Sequence, residues 1–217
     1  MQLVKFDSLA GVPTHYDRYA ASSGYGYGTR GRPASFRADS TFHKELDRCV
    51  DEIKARSPQA FGSLQVIASA GAYVSKPGFH GQGRAFDLDA LFWEKRSLIT
   101  KDFPNDPFLY VAIESVLRKH FGTVLNYDYN VDHQDHFHID NGSGVSFQKM
   151  SKSRVTFLQH TLHLTFGIGL PADGVFGPIT EAGLKMALED AKLPNISTKT
   201  GWLAYLDYCA THLFLLA

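Results

Sequence analysis

The 217-residue chain has little sulfur and no charge bias: two cysteines, three methionines, and 22 basic against 22 acidic side chains. Two cysteines, Cys49 and Cys209, lie far apart in sequence and lack metal-site spacing; they read as buried thiols, with one disulfide between them as the alternative. A balanced charge argues against nucleic acid or an anionic membrane surface as partner. No apolar run is long enough for a membrane span. The N-terminus, Met1-Gln-Leu-Val-Lys-Phe-Asp7, does not read as a signal peptide. The apolar stretch Trp202–Ala217 carries Asp207 and His212 and reads as a docked helix.

What the chain does have is periodic structure after a Gly- and Tyr-rich start. Residues 1–38, with Gly24-Tyr-Gly-Tyr-Gly-Thr-Arg-Gly31, read as irregular. From Asp39 to Arg56 the residues Phe42, Leu46, Cys49, Val50 and Ile53 recur at helical spacing, with Asp39 or Ser40 as cap and Pro58 beyond the end. Leu64–Ser69 and Arg84–Asp89 read as strands. Asp106-Pro107 opens a helix whose stripe is Leu109, Ala112, Ile113, Val116 and Leu117. Short strands are expected at Thr123–Leu125 and His136–Asp140. A polar stretch near residue 150 divides the chain into 1–149 and 150–217, the second part helical. The fold class is α+β: helices on a mostly antiparallel sheet, plus a small all-α C-terminal domain.

Two separated motifs carry chemistry, His80-Gly-Gln-Gly-Arg-Ala-Phe-Asp87 and His133-Gln-Asp-His-Phe-His138. Two imidazoles and a carboxylate form a hydrolytic metal site that leaves one position open, and a second carboxylate supplies a base. Such a nitrogen-rich set favours Zn2+ over calcium or magnesium. His80, Asp87 and His138 are the candidate ligands, with Asp89 competing for the place of Asp87 and His133 or His136 for that of His138. Asp135 is the candidate base. Strand alternation puts 135 and 138 on opposite faces, so Asp135 must lie where a loop enters the strand, or the strand must bulge there. His136 is then available to touch substrate, stabilise an oxyanion or orient Asp135.

In order and spacing these residues resemble the zinc D-alanyl-D-alanine carboxypeptidase superfamily, and most closely its extensin-like C-terminal branch. Gly83-Arg-Ala-Phe-Asp87, Phe121-Gly-Thr-Val-Leu125 and Asp135-His-Phe-His-Ile-Asp140 carry the likeness, over about residues 40–141. The resemblance implies His80, Asp87 and His138 as zinc ligands, Asp135 as base, and an α+β fold with an open cleft on its sheet. The superfamily often has a substrate-holding arginine after the strand preceding the first ligand. Here Ser69-Ala-Gly-Ala-Tyr-Val-Ser-Lys76 has none. Lys76, Arg84, Arg30, Arg32 and Arg37 are the substitutes to examine, and Tyr73 and His133 are further candidates for touching substrate.

The C-terminal part resembles a small three-helix peptidoglycan-binding domain over about residues 153–190, through Val155-x-x-Leu158-Gln159 and Asp173-Gly-Val-Phe-Gly-Pro-x-Thr180. Both resemblances imply bacterial peptidoglycan as partner, and a zinc peptidase cutting a stem-peptide or cross-bridge amide as endopeptidase or carboxypeptidase. A phage endolysin or a secreted effector fits a chain without a classical signal that acts in the periplasm or cell wall. Such a protein is expected to be a monomer, with room for an immunity protein or inhibitor. The contrasting reading is a non-catalytic wall-binding protein with a structural zinc.

Overall fold

The computed structural model describes residues 2–217. The first forty residues carry five short strands where an irregular segment was expected, β1 (Leu3–Phe6), β2 (Ser8–Leu9), β3 (Val12–Tyr16), β4 (Arg32–Pro33) and β5 (Phe36–Asp39), while residues 17–31 hold no strand. Their order comes from distant partners. β1 pairs with β5 in a two-stranded ribbon, and β3 runs parallel to β6 (Leu64–Gly71), with His15 opposite Ala68. Strands this short, partnered across the chain, leave little periodic signal in their own sequence.

β6 continues antiparallel into β7 (Ala85–Trp93), which also carries β8 (Ser97–Ile99). The sheet is completed by β9 (Thr123–Leu125) and β10 (Phe137–Asp140), giving the order β2-β3-β6-β7-β10-β9. It is antiparallel except where β3 meets β6.

One face of the sheet is covered by two helices, α1 (Ser40–Arg56) and α2 (Pro107–His120). α1 buries the five apolar residues its spacing marks, and Asp39 accepts hydrogen bonds from the backbone N–H groups of Thr41 and Phe42 as N-cap. Asp106 stands at the start of α2 but does not cap it, because its carboxylate takes Arg96 at 2.8 Å. Alternation decides which strand residues meet the helices. Phe86, Leu88, Phe137 and Ile139 join the core, which leaves Asp87, Asp89, His138 and Asp140 on the other face.

The C-terminal segment is helical: α3 (Lys152–Phe166), α4 (Pro178–Asp190) and α5 (Lys199–Leu216). It shares the core of the preceding part. α5 packs along α2, and Leu158, Trp202 and Leu213 lie in the same buried cluster as Leu109 and Ile113. Cys49 and Cys209 are buried free thiols. No helix among the described residues is long and apolar enough to cross a membrane.

A charged cluster ties α1, α2 and α5 together at the surface. Glu52 receives Arg56, Lys119 and His120, while Asp207 of α5 receives Arg56 and Lys119. Partial burial pushes the Glu52 carboxyl up, but His120, Lys119 and Arg56 outweigh it and hold it down to about 2. A depressed carboxyl stabilises the fold above its unfolded value and loses that effect as pH falls towards its folded one. Glu52→Gln is therefore expected to cost on the order of 1–2 kcal/mol near neutrality, discounted for solvent screening, and almost nothing near pH 2. Urea denaturation of both proteins across acid pH checks this.

Candidate metal centre

The antiparallel register of β7 and β10 sets His138 directly opposite Asp87. The third residue, His80, arrives from the short turn His80–Gln82 that precedes β7. Gly83 closes that turn at φ +66°, and a Cβ there would stand 2.7 Å from the Asp39 backbone nitrogen. This close approach lets Asp39 N–H donate to the Gly83 carbonyl at 2.8 Å, so the turn is pinned to the end of β5.

One donor atom from each of His80, Asp87 and His138 lies within 4.8 Å of the others, so these residues can hold a metal ion. His80 Nε2 is 3.2 Å from Asp87 Oδ2 and 3.2 Å from His138 Nδ1, and His138 Nδ1 is 3.0 Å from Asp87 Oδ1. The other nitrogen of each ring is engaged from behind. His80 Nδ1–H donates to the Ala72 carbonyl at 2.6 Å, and His138 Nε2–H faces Asp140 Oδ2 at 3.2 Å. These contacts leave His80 Nε2 and His138 Nδ1 facing Asp87 as the ring nitrogens free to take a metal in place of a proton, which is how outer carboxylates and carbonyls prepare metal-binding histidines.

The electrostatics match that arrangement. Burial pushes Asp87 up, but hydrogen bonds from His138 and His80 overcome it and hold the carboxyl well below its usual range. Burial depresses His138, and the Asp140 and Asp87 carboxylates reverse this and raise it to about 9. Two acids converging on one imidazole thus keep a cation there, and a metal ion provides that charge as well as a proton does.

Asp140 is a site residue that the sequence reading quoted without a role. Its position two residues after His138 on a strand is the signal that places both on one face. Gly142 N–H donates to Asp140 Oδ1 at 2.7 Å and fixes the carboxylate. Asp140→Asn is expected to weaken metal binding about ten- to hundredfold, in the range for such outer ligands. Competition against a chromophoric chelator measures it.

Asp135 and His136 lie where the chain enters β10, so both reach the face of His138. Asp135 Oδ1 accepts from His136 Nδ1 at 2.8 Å, and Asp135 Oδ2 accepts from Arg18 at 2.5 Å. His136 Nε2 lies 3.7 Å from Asp87 Oδ1. Partial burial raises the Asp135 carboxyl, and Arg18 and His136 prevail to lower it. Both oxygens of the Asp135 carboxylate are thus engaged, and the ring nitrogen turned toward Asp87 is His136 Nε2.

Asp89, His133 and His136, the competing residues, are not among the donors that lie within 4.8 Å of one another. Asp89 is buried and paired with Arg18 at 2.7 and 2.8 Å, away from the histidines. His133 lies tilted against His136 and edge-on to His138, with ring centroids 5.2 and 6.0 Å away. Burial and the two neighbouring imidazoles lower it to about 4, which keeps it neutral.

None of the arginines or lysines named as substitutes for the missing arginine contacts Asp135 among the described residues. Arg84 donates to the Asn141 side chain at 2.7 Å and its carbonyl at 3.0 Å, and stacks on Phe79. Arg30 reaches the Trp93 carbonyl, Arg32 lies over Tyr25, and Lys76 is exposed. Arg37 is exposed, and Tyr73 is half-buried with its backbone N–H on the Arg37 carbonyl. The residue beside Asp135 is Arg18, from the segment read as irregular.

Compared with known proteins, the chain matches no family model, no curated protein and no solved structure.

Proposed function

We propose that the protein is a zinc-dependent hydrolase that cuts an amide bond in the peptide portion of bacterial peptidoglycan. The observation that carries this reading is the donor triangle of His80, Asp87 and His138 with the Asp135–His136 pair set against it. Three protein donors leave zinc a position for water or substrate, whereas structural zinc is usually closed by four. Bound there, zinc supplies Lewis acidity to the scissile carbonyl and makes water nucleophilic at neutral pH.

The chain's own residues account for the proton. His136 accepts it at Nε2 from the attacking water, while Asp135 steadies the ring through Nδ1–H and balances the imidazolium charge. The water oxygen bonds to the carbonyl carbon, the carbon–nitrogen bond breaks, and His136 returns the proton to the departing amine. His133 stands close to both rings, where substrate would meet it.

The peptidoglycan assignment rests on the two motif resemblances. The Asp173-Gly-Val-Phe-Gly177 turn is held by Gln159, whose Nε2 donates to Asp173 at 2.7 Å and whose Oε1 accepts from Gly174 N–H at 2.8 Å. A cleft of about 500 Å³ beside α4, floored by Phe147, Phe176, Leu184, Leu188 and Ile196, offers this half of the chain a wall-binding surface distinct from the metal centre. Binding there raises the local substrate concentration for the hydrolytic half. Such a protein works in the periplasm or wall, as a lysis enzyme or a delivered effector.

The test is mass spectrometry of soluble fragments from purified peptidoglycan treated with the zinc-loaded protein. Fragments with one new amine terminus, absent after chelation, are expected. Intact peptidoglycan of several cross-link chemistries, with zinc still bound and the protein sedimenting with the wall, overturns the hydrolase reading and leaves a binding protein.

A further inference from the structure

We propose that Arg18 is a positioning residue, which locks Asp135 in the orientation that fixes the His136 ring. This rests on the hydrolase reading above, and it draws residues 17–31 into the catalytic apparatus.

The guanidinium spans two carboxylates. Nε and Nη2 donate to Asp89 at 2.7 and 2.8 Å, while Nη1 donates to Asp135 Oδ2 at 2.5 Å and Nη2 also approaches the Asp135 carbonyl at 3.4 Å. Asp89 is fully buried, so the bidentate pair anchors the fork from behind. The Tyr27 ring covers the guanidinium at 4.7 Å. The Tyr27 hydroxyl lies 3.1 Å from Thr100 Oγ1, which is within 2.9 Å of the Asp89 carbonyl and 2.7 Å of the Asp135 carbonyl. Arg18, Tyr27 and Thr100 therefore form one frame behind Asp135.

Asp135 itself is loosely enclosed, with a side chain 38 % exposed. Among the described residues its carboxylate is held by Arg18 on one oxygen and His136 on the other. Without the arginine it is free to rotate toward solvent, and His136 loses the contact that sets its tautomer. With its fork committed to two carboxylates, Arg18 acts through Asp135 and not as a clamp on the substrate carbonyl. A lysine keeps the charge beside Asp89 but cannot span both acids.

The experiment compares wild type, Arg18→Lys, Arg18→Gln, Arg18→Ala and, as a remote control, Arg48→Gln, all as full chains. Zinc stoichiometry is measured first, then kcat and KM for amine release from peptidoglycan fragments. The Arg18 variants are expected to bind zinc fully and to lose about 100-fold in kcat with KM unchanged, the cost of a catalytic group displaced by about an ångström. In zinc-free protein, nitrogen-15 NMR is expected to show the His136 Nδ1–H signal in wild type and Arg48→Gln, and its loss in Arg18→Lys. Guanidinium ion is expected to restore part of the kcat of Arg18→Ala. A rise in KM with kcat intact, or an unchanged His136 signal in a folded Arg18→Lys protein, overturns the proposal. If wild type holds zinc but releases no amine, the hydrolase reading falls and the NMR comparison alone decides the placement of Asp135 by Arg18.

Discussion

Asp135→Asn and His136→Gln are each expected to lower kcat for amine release by about 10²–10⁴-fold, the range for loss of general acid–base catalysis. Neither residue supplies a donor atom to the group formed by His80, Asp87 and His138, so zinc content should stay at the wild-type level. The more specific expectation concerns the double variant. Asp135 Oδ1 and His136 Nδ1 are 2.8 Å apart and one acts through the other, so removing both should cost little more than removing the worse one. Initial rates at saturating substrate for the four proteins of the cycle check this. Multiplicative losses would mean that the two residues act independently, with Asp135 taking the proton directly.

Asp87→Ala is expected to weaken metal binding more than Asp140→Asn, by at least about 100-fold, because it removes a ligand and not a partner of one. It also takes away the carboxylate that lies 3.2 Å from His80 Nε2 and 3.0 Å from His138 Nδ1. Two imidazoles alone hold a divalent cation more weakly than the same pair with a carboxylate between them. Wild-type binding carries its own pH signature. His138 holds a proton up to about 9 in the metal-free protein, and the metal must displace it. Apparent affinity should therefore rise roughly tenfold per pH unit through the neutral range and level off above about 9. Isothermal titration in buffers of different ionisation enthalpy reads the released proton directly.

How much of this was legible in the sequence depends on how local each feature is. α1 and α2 carry their own apolar spacing and end signals, and the structure places them where those signals are. The metal triad was legible because it lies in two compact motifs, although motif spacing alone left Asp87 and Asp89 as rivals. A period of two puts both on one face. Their fates are separated only by what faces them: His138 opposite Asp87, Arg18 against Asp89. Arg18 had no signal of its own, since its partners are 71 and 117 residues away. The strands of the first forty residues were missed for a related reason. β1 is ordered by β5, more than thirty residues on, and β3 by a parallel neighbour about fifty residues downstream, while its hairpin partner β2 is only two residues long. The shared core of the two halves was hidden likewise, because the apolar character of α5 does not say that α2 is its partner.

The measurement that tests the account most directly is a zinc titration of metal-free protein, with occupancy and amine release from peptidoglycan followed on the same samples. The account predicts one zinc per chain, and release that grows in proportion to occupancy and is absent from Asp87→Ala. Full occupancy without release would contradict it, as would release that persists in the metal-free protein.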